Sequence, residues 1–207
     1  MVAPLARALS KHGISPNQVT VIGCVLTLAA AGLILLGSLG AAGALFLFAS
    51  SLDMLDGTMA RMNGNNTRAG AFLDSALDRV AEGAIFSAIA VYFLHVNDPV
   101  GLMATLAAWL GAFMTSYVRA RCQSLGADLP EGLVQRAERV IALSVGLLYE
   151  PLLLAIMVGL AVLGLGTAFY RLVLAWKRLR DDDRDLDLEH GEPDSVGDGD
   201  TGQLAHR

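Results

Sequence analysis

Residues 53–78 read DMLDGTMARMNGNNTRAGAFLDSALD, and their four aspartates stand in two pairs of helical spacing. Asp53 and Asp56 are three residues apart, and Asp74 and Asp78 are four apart. In an α-helix, either spacing places two side chains on one face. The stretch therefore predicts two helices, each presenting a pair of carboxylates on one face.

Long apolar segments enclose this stretch, AGALFLFASSL before it and AEGAIFSAIAVYFL after it. The polar turn around Asn63–Thr67 must join the two helices. Counted from Asn66 in that turn, the aspartates lie thirteen, ten, eight and twelve residues away. At ~1.5 Å per residue, all four reach a similar depth just inside a membrane. Carboxylates there are costly unless they pair or bind a cation. Oxygen ligands suit Mg²⁺ or Mn²⁺, and four acids are enough for two ions.

The composition is that of a membrane protein, because 54% of the 207 residues are hydrophobic and 17% are charged. The net charge of −5 is unevenly distributed. Residues 1–180 carry thirteen Lys and Arg against ten acids, whereas residues 181–207 carry ten acids against two arginines. We predict one membrane domain over 1–180. We predict a disordered acidic tail over 181–207, because this segment is rich in glycine and poor in large apolar residues.

Apolar segments predict an all-α integral membrane protein with six transmembrane helices. The predicted helices cover approximately residues 18–37, 41–62, 70–95, 100–123, 135–150 and 152–176. Before them, residues 3–12 place Leu5 and Leu9 opposite Arg7 and Lys11. That pattern predicts a short amphipathic helix in the membrane interface.

The basic residues predict the orientation in the membrane. All fifteen Lys and Arg fall on one side of the six-helix arrangement. The turns on the other side, near Gly40, Asn97 and Tyr149–Pro151, contain none. By the positive-inside rule, both termini and the aspartates are cytoplasmic, in a multi-pass protein of the plasma membrane.

The aspartate stretch resembles the full signature of the CDP-alcohol phosphatidyltransferase family. The matching pattern is Asp53-x2-Asp56-Gly57-x2-Ala60-Arg61-x8-Gly70-x3-Asp74-x3-Asp78. Eight fixed residues agree over 26 positions without a gap. A polar hairpin that only caps two membrane helices would need neither four acids nor this spacing. The resemblance covers roughly residues 4–180 and excludes the tail.

The resemblance implies an enzyme that transfers the phosphatidyl group of CDP-diacylglycerol, or of an archaeal CDP-lipid, to a hydroxyl and releases CMP. It implies two divalent ions, Mg²⁺ or Mn²⁺, whose ligands are Asp53, Asp56, Asp74 and Asp78. Asp78 also matches the proposed general base that deprotonates the acceptor. The residues implied to contact the CDP-lipid are Asn17, Gln18, Val19, Thr20, Gly57, Arg61 and Thr67.

Two basic segments, SYVRAR at 116–121 and QRAER at 135–139, point to the acceptor. A lone arginine at a helix end simply reaches the interface. Several around one cytoplasmic cavity favour an anionic acceptor, because a guanidinium binds phosphate through two parallel hydrogen bonds. The segments resemble the subgroup whose acceptor is an inositol phosphate, although Gln135 and Arg119 replace its usual Glu and Lys. The phosphate-binding residues implied by this resemblance are Arg119, Arg136, Arg139 and Arg171. Glu138 is expected to orient one arginine.

The alternative acceptors are glycerol 3-phosphate and then uncharged or zwitterionic alcohols. A cation transporter is the alternative of another class. It predicts acids near the bilayer midplane and paired discontinuous helices, whereas these acids lie near one face and the sequence has no internal repeat. A membrane scaffold gives no reason for four acids. The expected partners are the CDP-lipid, an inositol phosphate, the bilayer and a second copy of the chain, with no nucleic acid.

Overall fold

The structure, a computed structural model, describes residues 15–62, 67–129 and 136–190, and within them leaves out the side chains of 53–62, 182, 183 and 185–190. The helices are α1 (Pro16–Leu35), α2 (Leu39–Met62), α3 (Arg68–His95), α4 (Pro99–Ser124), α5 (Arg136–Leu148) and α6 (Leu153–His190). A 3-10 turn at Glu150–Leu152 precedes α6. The six predicted helices are thus present, and except at the end of α6 their ends agree with the prediction within two residues.

Side chains at the first positions define where the helices start. Ser15 caps α1, because its hydroxyl accepts a hydrogen bond from the Gln18 amide at 3.3 Å while the Gln18 side chain accepts one from the Ser15 amide at 2.9 Å. This reciprocal capping box satisfies two amides that lack helical partners. Asp98 caps α4 and accepts two backbone N–H bonds at 3.0 Å. Pro16 and Pro99 follow the caps, where the missing proline N–H has no helical partner to lose.

The six helices close into a ring. In the described part of the chain, α1 packs on α2 and α3, α5 packs on α2 and α6, and α4 packs on α3 and α6. Following these contacts around the ring gives the order α1, α2, α5, α6, α4, α3. Helices α3 and α5 therefore face each other across the inside of the ring, which matters for the charges they carry.

Apolar side chains and glycines hold the ring together. The largest core cluster is built around Ile34, Phe46, Phe86, Leu143 and Met157, from five different helices. A close helix crossing joins α4 to α6. A Cβ on Gly111 would stand 2.7 Å from backbone atoms of Gly164 and Leu165, so only glycine fits.

Within the described residues, three stretches are long and apolar enough to cross a membrane: Pro16–Leu35, Pro99–Ser124 and Glu150–Asp181. Outward-facing residues such as Ile22 and Phe169 are at least half exposed, as expected of lipid-facing apolar side chains. The other helices differ for physical reasons. α2 is apolar up to Leu52, α3 carries four charged residues between 74 and 82, and the described part of α5 covers 13 residues.

The end of α6 differs from the prediction. The helix was predicted to end near residue 176, with a disordered tail from 181, but α6 continues to His190. The first ten residues assigned to the tail are therefore helical. The sequence contains no Gly or Pro between 167 and 190, so nothing in it breaks the helix where the charge changes. The predicted interfacial helix at 3–12 and the remaining tail, 191–207, lie outside the described residues.

We predict that Gly111→Ala lowers the melting temperature of the detergent-solubilised protein by several degrees. The added Cβ meets the backbone of α6 at 2.7 Å, which a side-chain movement cannot relieve. Overpacking of this kind costs about 1–3 kcal/mol.

The matched control is Gly159→Ala on α6, where a Cβ meets nothing within 4 Å. The control is expected to melt at the wild-type temperature or slightly above it, because alanine favours helix. Equal melting temperatures for the two variants would contradict the close α4–α6 crossing.

Candidate active site

The first turns of α1 and α3 meet at Gly70. Thr67 caps α3, and its Oγ1 accepts a hydrogen bond from the Gly70 amide at 3.0 Å. A Cβ on Gly70 would stand 3.0 Å from Thr67 Oγ1 and 3.1 Å from Asn17 Oδ1. The lack of a side chain at Gly70 thus lets α1 approach α3. Two of the residues predicted to contact the CDP-lipid, Asn17 and Thr67, lie together here.

The remaining predicted residues of α1 divide between two sides of the helix. Asn17 and Gln18 are exposed and, with Val21 and Ile22, line an open groove of about 500 Å³. Val19 and Thr20 are buried. A groove with polar groups at the helix start and apolar walls beyond it suits an amphipathic ligand.

Two ion pairs join α3 to α5 across the inside of the ring. Arg136 Nη2 lies 2.6 Å from Asp78 Oδ1. Further along both helices, Arg139 contacts Glu82, with Nε and Nη2 each 2.9 Å from Oε1. Asp78 and Glu82 are four residues apart on α3, and the two arginines are three apart on α5, so each helix presents both of its charges on one face.

The pair formed by Glu82 and Arg139 is the more deeply buried. Its side chains are 13% and 7% exposed, compared with 15% for Asp78 and 35% for Arg136. A buried charge costs several kcal/mol unless a partner compensates it. A cavity of about 20 Å³ lies beside both arginines, large enough for one water molecule. The site therefore contains one buried ion pair and one that is more accessible.

The other two predicted acceptor arginines lie on different helices. Arg171 of α6 is buried, and its Nη1 donates to the backbone carbonyl of Thr115 on α4 at 2.9 Å. Arg119, one turn further along α4, is exposed. The structure thus brings Arg136 and Arg139 together, and it places Arg171 and Arg119 along the neighbouring α4–α6 pair.

The structure describes the side chains of two of the four predicted metal ligands, both on α3. Asp74 and Asp78 are partly buried and one turn apart on α3. The backbone of α2 includes Asp53 and Asp56, but their side chains, with those of Gly57 and Arg61, lie outside the described residues. Carboxylate oxygens at this spacing fit a hard divalent cation. The two described carboxylates are thus consistent with half of the predicted ligand set.

Glu82 is the residue that the sequence reasoning missed. The carboxylate that binds Arg139 is Glu82, and the expectation that Glu138 orients an arginine stays a prediction. The available signal was its spacing, because Glu82 lies one turn after Asp78 on the same face of α3. Its partner on α5 could not be read from the chain, since the two residues are 57 positions apart.

Comparisons of sequence connect this site to known enzymes. The sequence model of the CDP-alcohol phosphatidyltransferase family matches residues 13–176. A phosphatidylinositol phosphate synthase of Corynebacterium glutamicum is 39% identical over 150 residues, which are 71% of this chain and 68% of that protein. An archaetidylinositol phosphate synthase of Methanothermobacter thermautotrophicus is 35% identical over 169 residues, covering 79% of this chain and 84% of that protein.

Solved structures agree with these matches. The phosphatidylinositol phosphate synthase of Mycobacterium tuberculosis with CDP-DAG bound superimposes with a TM-score of 0.77 and 34% identity, covering 85% of this chain and 94% of that one. Its complex with manganese and citrate also gives a TM-score of 0.77, at 32% identity, covering 85% and 89% of the two chains. The helix ring is therefore shared with a membrane enzyme of known structure.

We predict that Thr67→Ala loosens the first turn of α3. The Gly70 amide loses its hydrogen-bond acceptor, and loss of such a cap costs about 1 kcal/mol. Hydrogen exchange should accelerate in residues 68–72, whereas Thr67→Ser should keep the wild-type rate because serine retains the hydroxyl. Unchanged exchange in Thr67→Ala would show that Thr67 does not cap the helix.

Proposed function

Because the chain belongs to the CDP-alcohol phosphatidyltransferase family, we propose that it transfers the phosphatidyl group of CDP-diacylglycerol, or of an archaeal CDP-lipid, to a hydroxyl of an inositol phosphate. The phosphorus of the phosphatidyl group forms a bond to the acceptor oxygen, its bond to CMP breaks, and CMP leaves. The observation that carries the acceptor assignment is the position of Arg136 beside the Asp78 carboxylate, with Arg139 one turn further along α5.

The arginines supply the positive charge that a phosphorylated acceptor requires. Arg136 is 35% exposed and within 2.6 Å of Asp78, so an anion that reaches Asp78 also reaches Arg136. A guanidinium holds phosphate through parallel charge-assisted hydrogen bonds. We assign the acceptor phosphate to the set made up of Arg119, Arg136, Arg139 and Arg171. Uncharged inositol would gain none of these charge-assisted hydrogen bonds, which favours the phosphorylated acceptor.

Asp78 would act as the general base. Its carboxylate lies beside Arg136, so an acceptor held by its phosphate at Arg136 presents a hydroxyl nearby. Asp78 would accept the hydroxyl proton as the oxygen attacks the phosphorus. Arg136 would then exchange part of its contact with Asp78 for contact with the acceptor phosphate.

The CDP-lipid would occupy the other end of the site, near the first turns of α1 and α3. Asn17, Gln18, Val19 and Thr20 of α1, with Thr67, form the described part of this region, and Gly57 and Arg61 complete the proposed set. The absence of a side chain at Gly70 brings Asn17 and Thr67 close together at this end of the site. Apolar Val21 and Ile22 line the groove beside it and suit a lipid chain.

We assign two divalent ions, Mg²⁺ or Mn²⁺, to Asp53, Asp56, Asp74 and Asp78. When bound, such ions neutralise charge on the pyrophosphate and on the leaving CMP. Asp74 and Asp78 fit this role because they are partly buried and one turn apart. Manganese in the Mycobacterium tuberculosis enzyme supports a divalent ion here.

We also propose that all six helices span the membrane, with both termini and the aspartates on the cytoplasmic side of the plasma membrane. The two ion pairs between α3 and α5 support this arrangement, because the charges of these helices compensate each other rather than facing lipid singly. The N-terminal residues 3–12 would lie in the interface. A homodimer is expected from the resemblance to the inositol phosphate subgroup.

We predict that Arg136→Ala raises the KM for inositol phosphate while leaving the KM for CDP-diacylglycerol nearly unchanged. Loss of a charge-assisted hydrogen bond should lower kcat/KM for the acceptor roughly ten- to a hundredfold. Initial rates of CMP release at varied concentrations of each substrate measure both constants.

Arg121→Ala is the matched control, because Arg121 is exposed near the end of α4 and bonds to Ser124 at 3.4 Å. It should leave both KM values at the wild-type level. If Arg136→Ala changes neither constant, or the wild type prefers inositol or glycerol 3-phosphate, the inositol phosphate assignment is wrong.

We predict that Asp74→Asn and Asp78→Asn weaken Mn²⁺ binding by at least about tenfold, because an amide oxygen is a poorer ligand than a carboxylate. Electron paramagnetic resonance of Mn²⁺ titrated into purified protein measures this without turnover. Asp128→Asn serves as the control, since Asp128 is exposed in the turn after α4. Wild-type Mn²⁺ affinity in both site variants would remove these residues from the ligand set.

A further inference from the structure

We infer that Glu82 is a positioning residue for the acceptor site, acting through Arg139. This inference rests on the proposed function, in which the arginines of α5 bind the acceptor phosphate. Glu82 belongs to neither the aspartate signature nor the basic segments. It is nevertheless the residue that fixes the guanidinium of Arg139.

The contact with Glu82 orients the guanidinium of Arg139 and also compensates its charge. Nε and Nη2 of Arg139 both lie 2.9 Å from Glu82 Oε1. These atoms form the side edge of the guanidinium, so that edge is directed at Glu82. We assign the opposite side, which carries Nη1, to the acceptor phosphate.

The burial of the pair explains why a carboxylate is required at position 82. Arg139 is 7% exposed at its side chain, and water cannot compensate a guanidinium held that deeply. In the absence of the Glu82 charge, the next carboxylate on the same face of α3 is Asp78, one turn earlier. Arg139 would then turn toward Asp78 and compete with Arg136. Glu82 thereby keeps Asp78 for catalysis and Arg139 for the acceptor.

The packing of α5 adds to this role. Helix α5 packs on α2 and α6, whereas its charged first turn faces α3 across the ring. Long side chains form the two ion pairs and bridge that space. The more buried pair therefore fixes the position of the first turn of α5, and with it the position of Arg136 relative to Asp78.

The test is Glu82→Gln, a change of nearly equal size that removes the charge. We expect the KM for inositol phosphate to rise about tenfold, the lower end of the effect of losing a charge-assisted hydrogen bond. The KM for CDP-diacylglycerol should stay within about twofold of wild type. Glu82→Asp keeps the charge one methylene shorter and should give an intermediate KM. Glu150→Gln is the matched control, because Glu150 accepts a hydrogen bond from the Tyr92 hydroxyl at the far end of α3 and should alter neither constant.

A double-variant cycle separates positioning from general stability. If Glu82 acts through Arg139, then Glu82→Gln should add little to the KM increase caused by Arg139→Lys. Additive effects would overturn the inference, as would equal increases in the KM values of both substrates. If Glu82→Gln does not fold, Glu82→Asp and Arg139→Lys form the same cycle.

Measuring the KM for glycerol 3-phosphate as well as that for inositol phosphate distinguishes a wrong acceptor assignment from a wrong role for Glu82. If the wild type prefers glycerol 3-phosphate, the proposed acceptor is wrong. The role of Glu82 is then judged on the KM for that phosphorylated acceptor. If the wild type uses no phosphorylated acceptor, both the acceptor assignment and the role of Glu82 fail.

Discussion

The structure depends on one constraint, that charges placed inside a ring of membrane helices must be compensated within the ring. Helices α3 and α5 meet this constraint with two ion pairs, Asp78 with Arg136 and Glu82 with Arg139. In the proposed mechanism, the buried pair holds the geometry and the accessible pair exchanges partners when an anion arrives. A chain that buried only Asp78 would leave its carboxylate uncompensated at a depth where that is costly.

Much of the fold could be predicted, because helix ends have local causes. The capping residues Ser15, Thr67 and Asp98 stand where the apolar periodicity begins, and the predicted starts are within two residues of those observed. The end of α6 was misplaced because charge composition was given more weight than the absence of Gly and Pro before Gly191. No local feature of the sequence predicts the order of the helices in the ring. It depends on close approaches such as Gly111 against Gly164, which join residues 53 positions apart.

The same holds for the site: features that are local in the sequence were predicted, and contacts between distant residues were not. The aspartates and the basic segments were identified from spacing, and the structure places Arg136 within reach of Asp78 as a shared acceptor site requires. The sequence could not pair Glu82 with Arg139, because pairing depends on how α3 and α5 face each other across the ring. Span counting from hydropathy depends on a related property. Within the described residues hydropathy supports three spans, and the other helices, α2, α3 and α5, carry most of the charged residues of the proposed site.

The most direct test of the account is the chemical identity of the lipid product. Purified protein would be incubated with CDP-diacylglycerol, inositol phosphate and Mg²⁺ or Mn²⁺, and the lipid would be examined by mass spectrometry. The account predicts one CMP released per lipid formed, and a lipid that carries a phosphodiester and a second phosphate removable by a phosphatase. Formation of the unphosphorylated inositol lipid at an equal or greater rate from free inositol, or no lipid from inositol phosphate, would contradict it.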